Sequence, residues 1–282
     1  MTITLFLILL VVGAAVGYYS GLVGTGGNLI LIPAFDLLFH YLKVPENEVV
    51  KFMLAHSFFI TTFTGLNVSY KQFKVKNIYV KEVLFISLPG MITAFILTEL
   101  IRKGNWYHKS DFDVVFFSLL LFLAGRMLLY KPHDSTATTE NRRLYYFPLI
   151  GVVAGIISSF SGIGGGIIVI PILTDIIKIP FKKASSISIG VVAMLAIPIT
   201  ASYLMIDSHS SFQHILPLQL GYISLTISAP ILIGVFSTSG LGVRKAQTTA
   251  PHKLRLILGL VILILSAKMV YGFFKIKPMI LQ

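Results

Sequence analysis

Residues 24–33 read Gly-Thr-Gly-Gly-Asn-Leu-Ile-Leu-Ile-Pro, and residues 162–171 read Gly-Ile-Gly-Gly-Gly-Ile-Ile-Val-Ile-Pro. Six of the ten positions are identical at a constant offset of 138, which is about half of the 282-residue chain. Each copy interrupts a strongly apolar stretch with glycines. A hydrophobic segment that is broken at corresponding places in two halves of a chain points to the binding site of a transporter. We therefore predict a duplicated chain whose two glycine clusters act together.

The composition around these clusters is that of a membrane protein. Hydrophobic residues make up 55% of the chain and charged residues only 12%, whereas soluble domains carry about 25% charged residues. Runs without a charged residue extend over 2–35, 184–206 and 215–243. Each run exceeds the roughly 20 apolar residues that a membrane-spanning helix needs. The sequence therefore predicts an all-α integral membrane protein that crosses the plasma membrane several times, with lipid around it.

Ten hydrophobic segments are predicted, five in each half. They cover residues 3–22, 28–42, 48–70, 79–101, 112–131, 145–161, 166–178, 184–206, 215–240 and 255–274. The first lacks a basic start and a cleavage site, so we interpret it as a span rather than a signal peptide. The polar stretch 132–144 is interpreted as a linker between an N-terminal repeat, 1–131, and a C-terminal repeat, 145–282.

The distribution of basic residues predicts the orientation of these segments. If the two segments around each glycine cluster form a hairpin, 15 of the 23 Lys and Arg residues fall on one side of the membrane and 8 on the other. Cytoplasmic loops carry the excess of Lys and Arg, so both termini are predicted to face away from the cytoplasm. Five segments per half invert the second half relative to the first. The predicted fold is thus two inverted five-segment repeats with paired helical hairpins broken by glycine.

The glycine clusters are predicted to bind a small anion. A helix that starts directly after a glycine turn has free N–H groups in its first turn, and these groups with the helix dipole attract negative charge. Two such turns would meet near the membrane midplane. The predicted substrate-binding residues are Gly24, Thr25, Gly26, Gly27, Asn28, Ser57, Ser161, Gly162, Gly164, Gly165, Gly166 and Ser188. Lesser candidates are Ser185, Ser186, Thr61 and Thr62. The alternative explanation for small residues in membrane helices is close helix packing.

Three ionisable groups stand inside or beside apolar segments. His56 lies in an otherwise neutral run, and such a group usually faces a cavity, so it is the candidate for proton coupling. The alternative for His56 is a neutral ring that bonds a backbone carbonyl. Asp36 and Asp175 follow the two prolines that end the repeated motif. We expect these carboxylates to lie near a membrane face and to orient the hairpins, with pairing to Lys or Arg or binding of a cation as alternatives.

The layout resembles the sulfite exporter TauE/SafE family, also called the 4-toluene sulfonate uptake permease family. The features that carry the resemblance are the glycine turns that end at Pro33 and Pro171, the helix starts at 53–57 and 184–188, and the prolines Pro89 and Pro230. The resemblance covers nearly the whole chain. It implies a secondary transporter, an exporter by the family name, of small sulfur-containing or organic anions such as sulfite, sulfoacetate and other sulfonates. Thr25, Asn28 and His56 depart from the residues usual in the family.

Other functions are less well supported by the sequence. The chain has no cysteine, which excludes disulfides, iron–sulfur clusters and thiol chemistry. The net charge of +12 comes from short loops rather than from a basic surface with aromatic residues, so nucleic acid is not an expected partner. No cofactor, metal or catalytic residue is predicted. An anion channel of the same architecture is an alternative, and an intramembrane hydrolase or a cation carrier is a weaker one. The sequence leaves homo-oligomerisation open.

Overall fold

The structure is a computed structural model that describes residues 3–77, 79–104, 106–129, 144–205 and 217–276. These residues form ten α-helices. Their bounds are α1 Ile3–Val23, α2 Asn28–Tyr41, α3 Glu46–Lys74, α4 Val80–Lys103, α5 Lys109–Leu129, α6 Phe147–Ser161, α7 Gly166–Pro171, α8 Phe181–Leu204, α9 Leu225–Thr248 and α10 Pro251–Ile276. A π-helical turn, Ile172–Ile176, continues α7, and a 3-10 turn, Leu144–Tyr146, precedes α6. Residues 132–143 of the predicted linker lie outside the described residues.

Each of the ten predicted segments corresponds to one helix, and the ninth differs most. The prediction of a segment over 215–240 is wrong at both ends, because α9 begins at Leu225 and ends at Thr248. Two short antiparallel strands precede it, β1 Gln219–Leu220 and β2 Ile223–Ser224. Gly221 between them has a φ of +55°, a conformation that suits the tight turn. The described chain is therefore helical except for this small β-hairpin, its turns and its loops.

The helices identify a multi-pass membrane protein. By length and composition alone, α1, α3, α4, α8 and α9 could each cross a membrane. Of their most apolar 18-residue windows, 72% is buried within the protein in α3 and α8, against 33% in α1 and 28% in α4. The helices α3 and α8 therefore form the centre of the molecule, while α1 and α4 present most of their surface to the surroundings.

Glycines let helices from the two halves pack at short distance. A methyl group added to Gly13 or Gly17 of α1 would collide with the backbone of α9, at Ile231 and Val235. Gly151 and Gly155 of α6 face the backbone of α4 in the same way. Small residues spaced four apart allow membrane helices to approach until their backbones touch. Two cross-half pairs, α1–α9 and α4–α6, therefore flank the central helices.

The helix contacts follow a two-fold pattern. Helices α1 to α5 can be matched in order with α6 to α10. When each helix is replaced by its match, every major pair of contacting helices gives a pair that is also in contact. The α1–α9 contact becomes α6–α4, α3–α9 becomes α8–α4, and α2–α3 becomes α7–α8. The α3–α8 and α5–α10 contacts map onto themselves. A two-fold axis that relates the two halves would pass through the contacts that map onto themselves.

Candidate functional site

The repeated glycine motif forms a four-residue break between helices in each half. Helix α1 ends at Val23 and α2 begins at Asn28, while α6 ends at Ser161 and α7 begins at Gly166. Positive φ angles occur within both breaks. They are +78° at Gly24, +80° at Gly26, +70° at Gly162, +86° at Gly164 and +71° at Gly165. Residues with a Cβ are strained in this region, so the backbone path itself requires glycine at these positions.

The two glycine turns, residues 24–27 and 162–165, lie against each other. The Asn28 side chain crosses from one half to the other, and its Nδ2 donates a hydrogen bond of 2.6 Å to the carbonyl of Gly162. The hydroxyl of Thr61, on α3, donates to the Oδ1 of the same side chain. A Cβ placed on Gly166 would be 2.9 Å from the Thr25 carbonyl oxygen. Asn28 therefore fastens the turns together, and it is fully buried there.

The turns meet at mid-height of the two central helices. A Cβ placed on Gly26 would lie 2.8 Å from the Val192 side chain and 3.4 Å from the Thr61 side chain. Val192 lies halfway along the 24 residues of α8, and Thr61 lies near the middle of the 29 residues of α3. The glycine turns are thus far from both ends of the helices that surround them.

Several backbone N–H groups at the turns make no hydrogen bond within the described residues. They belong to Thr25, Gly26, Gly27, Asn28 and Leu29 in the first half, and to Gly164, Gly165 and Ile167 in the second. The first bonds of the following helices come later, from Ile30 and Leu31 to the Gly27 carbonyl, and from Ile168 and Val169 to the Gly165 carbonyl. Helix starts leave such donors unpaired, and here they occur inside the protein.

The predicted hydroxyl ligands fall into two groups. Ser188 donates to the Gly166 carbonyl at 3.0 Å, and Ser161 donates to the Ile157 carbonyl at 2.6 Å, so both hydroxyls hold the backbone. The buried hydroxyl of Ser57, by contrast, has no hydrogen-bond partner among the described residues. The buried hydroxyl of Thr25 lies near the Tyr19 phenol, but neither oxygen makes a hydrogen bond of ordinary geometry. Buried polar groups are usually paired, so the unpaired Ser57 hydroxyl is an exception among the described residues.

His56 is occupied by the backbone at both ring nitrogens. Its Nδ1 lies 2.8 Å from the Phe52 carbonyl, and its Nε2 accepts a hydrogen bond of 2.9 Å from the N–H of Ser224. This arrangement fits the neutral ring with the proton on Nδ1. The rings of Phe35 and Phe39 pack against it, with centroids 5.4 and 5.1 Å away. The structure thus ties His56 to the β-hairpin, and its Nε2 is not available as a base for a serine.

The β-hairpin that binds His56 is also fastened to the start of α3. The hydroxyl of Tyr222 donates to the carboxylate of Glu48 at 2.6 Å. Burial, and then this bond to a charged acceptor, raise the pKa of Tyr222 above its usual range. The phenol therefore keeps its proton and remains a donor at physiological pH. Lys51 lies over the Tyr222 ring, 5.9 Å from its centre.

Both aspartates that follow the repeated prolines are in ion pairs. Asp36 lies 2.9 Å from the ammonium of Lys109 at the start of α5. Asp175 lies 3.0 Å from Arg255 at the start of α10 and 3.1 Å from Arg126, and only 1% of its side chain is exposed. The alternative of pairing with Lys or Arg is therefore correct for both. Among the described residues, no group of three His, Cys, Asp or Glu could hold a metal ion.

Two residues that contact the junction of the turns, Thr61 and Val192, were underrated or missed in the sequence analysis. Thr61 ranked among the lesser candidates, yet it orients Asn28. Val192, which contacts both turns, was not predicted at all. One signal was available in the sequence. The matched helix starts 53–57 and 184–188 are 131 residues apart, and the same offset relates Thr61 to Val192.

Comparison with known proteins agrees with a transporter. Residues 5–269 match the family described as Sulfite exporter TauE/SafE. A probable membrane transporter protein of Methanocaldococcus jannaschii is 30% identical over 251 residues, which are 88% of this chain and 89% of the relative. One from Haemophilus influenzae is 30% identical over 85% of this chain and 88% of the relative, and YunE of Bacillus subtilis is 24% identical over 77% and 84%. No solved structure matches. The chain belongs to the sulfite exporter TauE/SafE family of membrane transporters.

Proposed function

We propose that this protein is a secondary transporter that binds a small sulfur-containing or organic anion between its two glycine turns. The observation that carries the proposal is the junction of the turns, where Asn28 bridges the halves beside unpaired backbone N–H groups. Sulfite, sulfoacetate and other sulfonates are the substrates that the family name and the chemistry of the site favour. The relatives' names also describe transporters rather than enzymes.

Neutral donors suit a site that must both bind and release an anion. Each helix start carries a partial positive charge of about half an elementary charge, and its effect is strong where water is excluded. In this proposal the hydroxyls of Thr25 and Ser57, which make no hydrogen bond of ordinary geometry among the described residues, serve as further donors without a fixed charge. A site of amides and hydroxyls binds an oxyanion without the tight ion pair that a buried arginine would form. Transport requires such moderate binding, because the guest must leave on the other side.

The proposal places this site near the membrane midplane, between two inverted repeats. Mid-height of α3 and α8 corresponds to the middle of the bilayer if both helices cross it. The two-fold pattern of helix contacts supports equivalent halves, and five helices per half give them opposite orientations. With the Lys-rich and Arg-rich loops in the cytoplasm, both termini lie outside the cytoplasm. Rocking of one part of the molecule against the other would then expose the site to each side in turn.

Transport assays in reconstituted vesicles test this function. We expect the purified protein to take up radiolabelled sulfite or sulfoacetate, and to exchange labelled for unlabelled anion with saturation. Saturable exchange distinguishes a carrier from a channel of the same architecture, which would show no saturable counterflow. Asn28→Asp should abolish uptake, because it places a negative charge beside the guest. Thr64→Val is the matched control, since the Thr64 hydroxyl bonds the Ile60 carbonyl of its own helix. Absence of uptake for a panel of sulfonates, sulfite and carboxylates would refute the proposal.

A further inference from the structure

We propose that Val192 sets the size of the anion that fits between the glycine turns. This inference rests on the proposed function and assigns a specificity-determining residue to the same site. Val192 is fully buried halfway along α8, in the centre of the molecule. It is apolar and carries no group that could bind an anion, so its role is steric.

Three glycines from both halves converge on this one side chain. A Cβ placed on Gly26 would lie 2.8 Å from a methyl of Val192, and one placed on Gly164 would lie 3.4 Å from the same methyl. A Cβ on Gly166 would lie 2.5 Å from the other methyl. Because real Cβ atoms keep greater distances, any side chain at Gly26 or Gly166 would force Val192 away. The isopropyl group of Val192 therefore fills the space between the turns.

Val192 touches residues of both turns whose backbone donors are unpaired. The free N–H groups of Gly26 and Gly164 belong to the residues that this side chain touches. The arrangement is thus closed, and a guest must displace the isopropyl group to reach both turns. Valine has one strongly preferred χ1 rotamer in a helix, so rotation of the side chain cannot clear the space easily. Opening then requires a shift of α8, and the space that remains beside Val192 limits the guest.

Thr61 of α3 also approaches Gly26. Its methyl would lie 3.4 Å from a Cβ added to this glycine, and its hydroxyl donates to Asn28. Thr61 and Val192 are separated by the same 131 residues as Ser57 and Ser188, so they stand at corresponding places in the two halves. The first half thus contributes Thr61, which orients the Asn28 side chain, and the second half contributes the isopropyl group of Val192.

Substitutions of Val192 test whether the size of its side chain determines which anions are transported. We expect Val192→Ala to raise kcat/KM for a bulky anion such as benzenesulfonate, relative to sulfite, by about tenfold or more, as a methylene or two of space in an apolar pocket typically does. Val192→Leu should lower transport of both anions. Val191→Ala is the matched control, because Val191 is equally buried but packs in a separate cluster with Ile86 and Ile187. This control should leave the ratio of the two anions unchanged.

Cysteine labelling gives a readout that does not depend on transport. The chain has no cysteine, so Val192→Cys introduces a single thiol of similar size. An anionic methanethiosulfonate should modify this thiol, and saturating sulfoacetate, which does not react with the reagent or with the disulfide it forms, should slow the reaction by about tenfold or more, as a guest held tenfold or more above its dissociation constant would. The thiol introduced by Val191→Cys should not be protected by sulfoacetate. Cysteine substitution also leaves a usable protein if the smaller alanine side chain impairs folding.

The outcomes separate this inference from the proposed function. If the native protein transports sulfite but Val192→Ala shifts the anion ratio no more than Val191→Ala, the size-determining role of Val192 is wrong and the proposed function stands. Equal labelling with and without sulfoacetate in a Val192→Cys protein that transports sulfoacetate contradicts it as well. If the native protein transports no anion of the panel, both proposals fail.

Discussion

Ser57 is a buried serine whose hydroxyl has no partner in the described structure. An unpaired buried polar group costs stability, so we expect Ser57→Ala to stabilise the protein against thermal unfolding by about 1 kcal/mol. The same change should raise the KM for the anion by about tenfold to a hundredfold, because a hydrogen bond to a charged group contributes about 1.5–3 kcal/mol. Thermal melting in detergent and uptake into vesicles measure the two effects.

Thr64→Val provides the comparison for Ser57→Ala on the same helix. The Thr64 hydroxyl is buried and donates to the Ile60 carbonyl at 2.7 Å, so loss of this hydroxyl should leave the KM for the anion unchanged. An unchanged KM in Ser57→Ala would remove this serine from the site. A large loss of stability in Ser57→Ala would instead show that the hydroxyl is needed for folding.

His56 joins α3 to the β-hairpin, which gives its substitution two separable effects. His56→Gln keeps an acceptor that can reach the Ser224 N–H but removes the group that titrates. Because the ring is already neutral and bonded at both nitrogens, we expect His56→Gln to retain the pH dependence of transport. His56→Ala should lower the melting temperature, since it leaves the Ser224 N–H unpaired and opens a cavity between Phe35 and Phe39. Loss of pH dependence in a stable His56→Gln protein would support proton coupling instead.

The sequence indicated the polar residues at the junction of the glycine turns better than the apolar ones. Glycines in a repeated motif indicate a special backbone, and Asn28 at the motif is an evident polar candidate. Val192 gave no such sign, because a valine in an apolar helix is the commonest kind of core residue. Its importance comes from which residues meet it in space, and the long-range packing of α8 against both turns determines that.

The α4–α6 pair depends on glycine at one point of closest approach. A methyl at Gly151 would collide with the Ile86 carbonyl, so Gly151→Val should push the two helices apart. Overpacking of this kind costs about 1–3 kcal/mol, and we expect a lower melting temperature in detergent. Gly125→Ala is the matched control, since nothing lies within 4 Å of its added Cβ. That substitution should stabilise α5 by up to about 1 kcal/mol. Equal effects of the two changes would contradict the packing role of Gly151.

The hydropathy of the sequence predicted where the helices lie in the chain, but it did not predict which helices pack against each other. The ten apolar segments predicted the ten helices, because each run either is about long enough to cross a membrane or begins directly after a glycine turn. The pairing signal was present and was missed, since Gly13 and Gly17 recur as Gly151 and Gly155 at the motif's own offset of 138. The β-hairpin had no comparable signal. Its two-residue strands are too short to show any alternation.

Contacts between the halves dominate the architecture, which explains how one junction can hold both glycine turns. Each flanking pair, α1–α9 and α4–α6, combines a helix from one half with a helix from the other, and so does the central α3–α8 pair. An ion pair also joins the halves, because Arg126 of α5 binds Asp175, whereas Asp36–Lys109 and Asp175–Arg255 are equivalent pairs within each half. Neither half buries its apolar faces alone. The two halves are therefore expected to fold as one unit around the turns.

The predicted inverted orientation of the two halves can be tested by the membrane side on which two equivalent loops lie. The loop before α5 contains His108, and the corresponding loop before α10 contains Thr249. Inverted repeats place these loops on opposite faces of the membrane, whereas parallel repeats place them on the same face. The excess of Lys and Arg on one side predicts that His108 lies outside the cytoplasm and Thr249 inside it. Because the chain has no cysteine, single substitutions report each position without background.

Labelling with a membrane-impermeant maleimide reads these positions in cells that make the protein. The thiol introduced by His108→Cys should react in intact cells, since 70% of the His108 side chain is exposed. The thiol introduced by Thr249→Cys should react only after the membrane is made permeable. The opposite result would keep the repeats inverted and reverse the orientation of the whole molecule. Labelling of both thiols in intact cells would show that the repeats run in the same direction, and alternating access by exchange of the two halves would then have no structural basis.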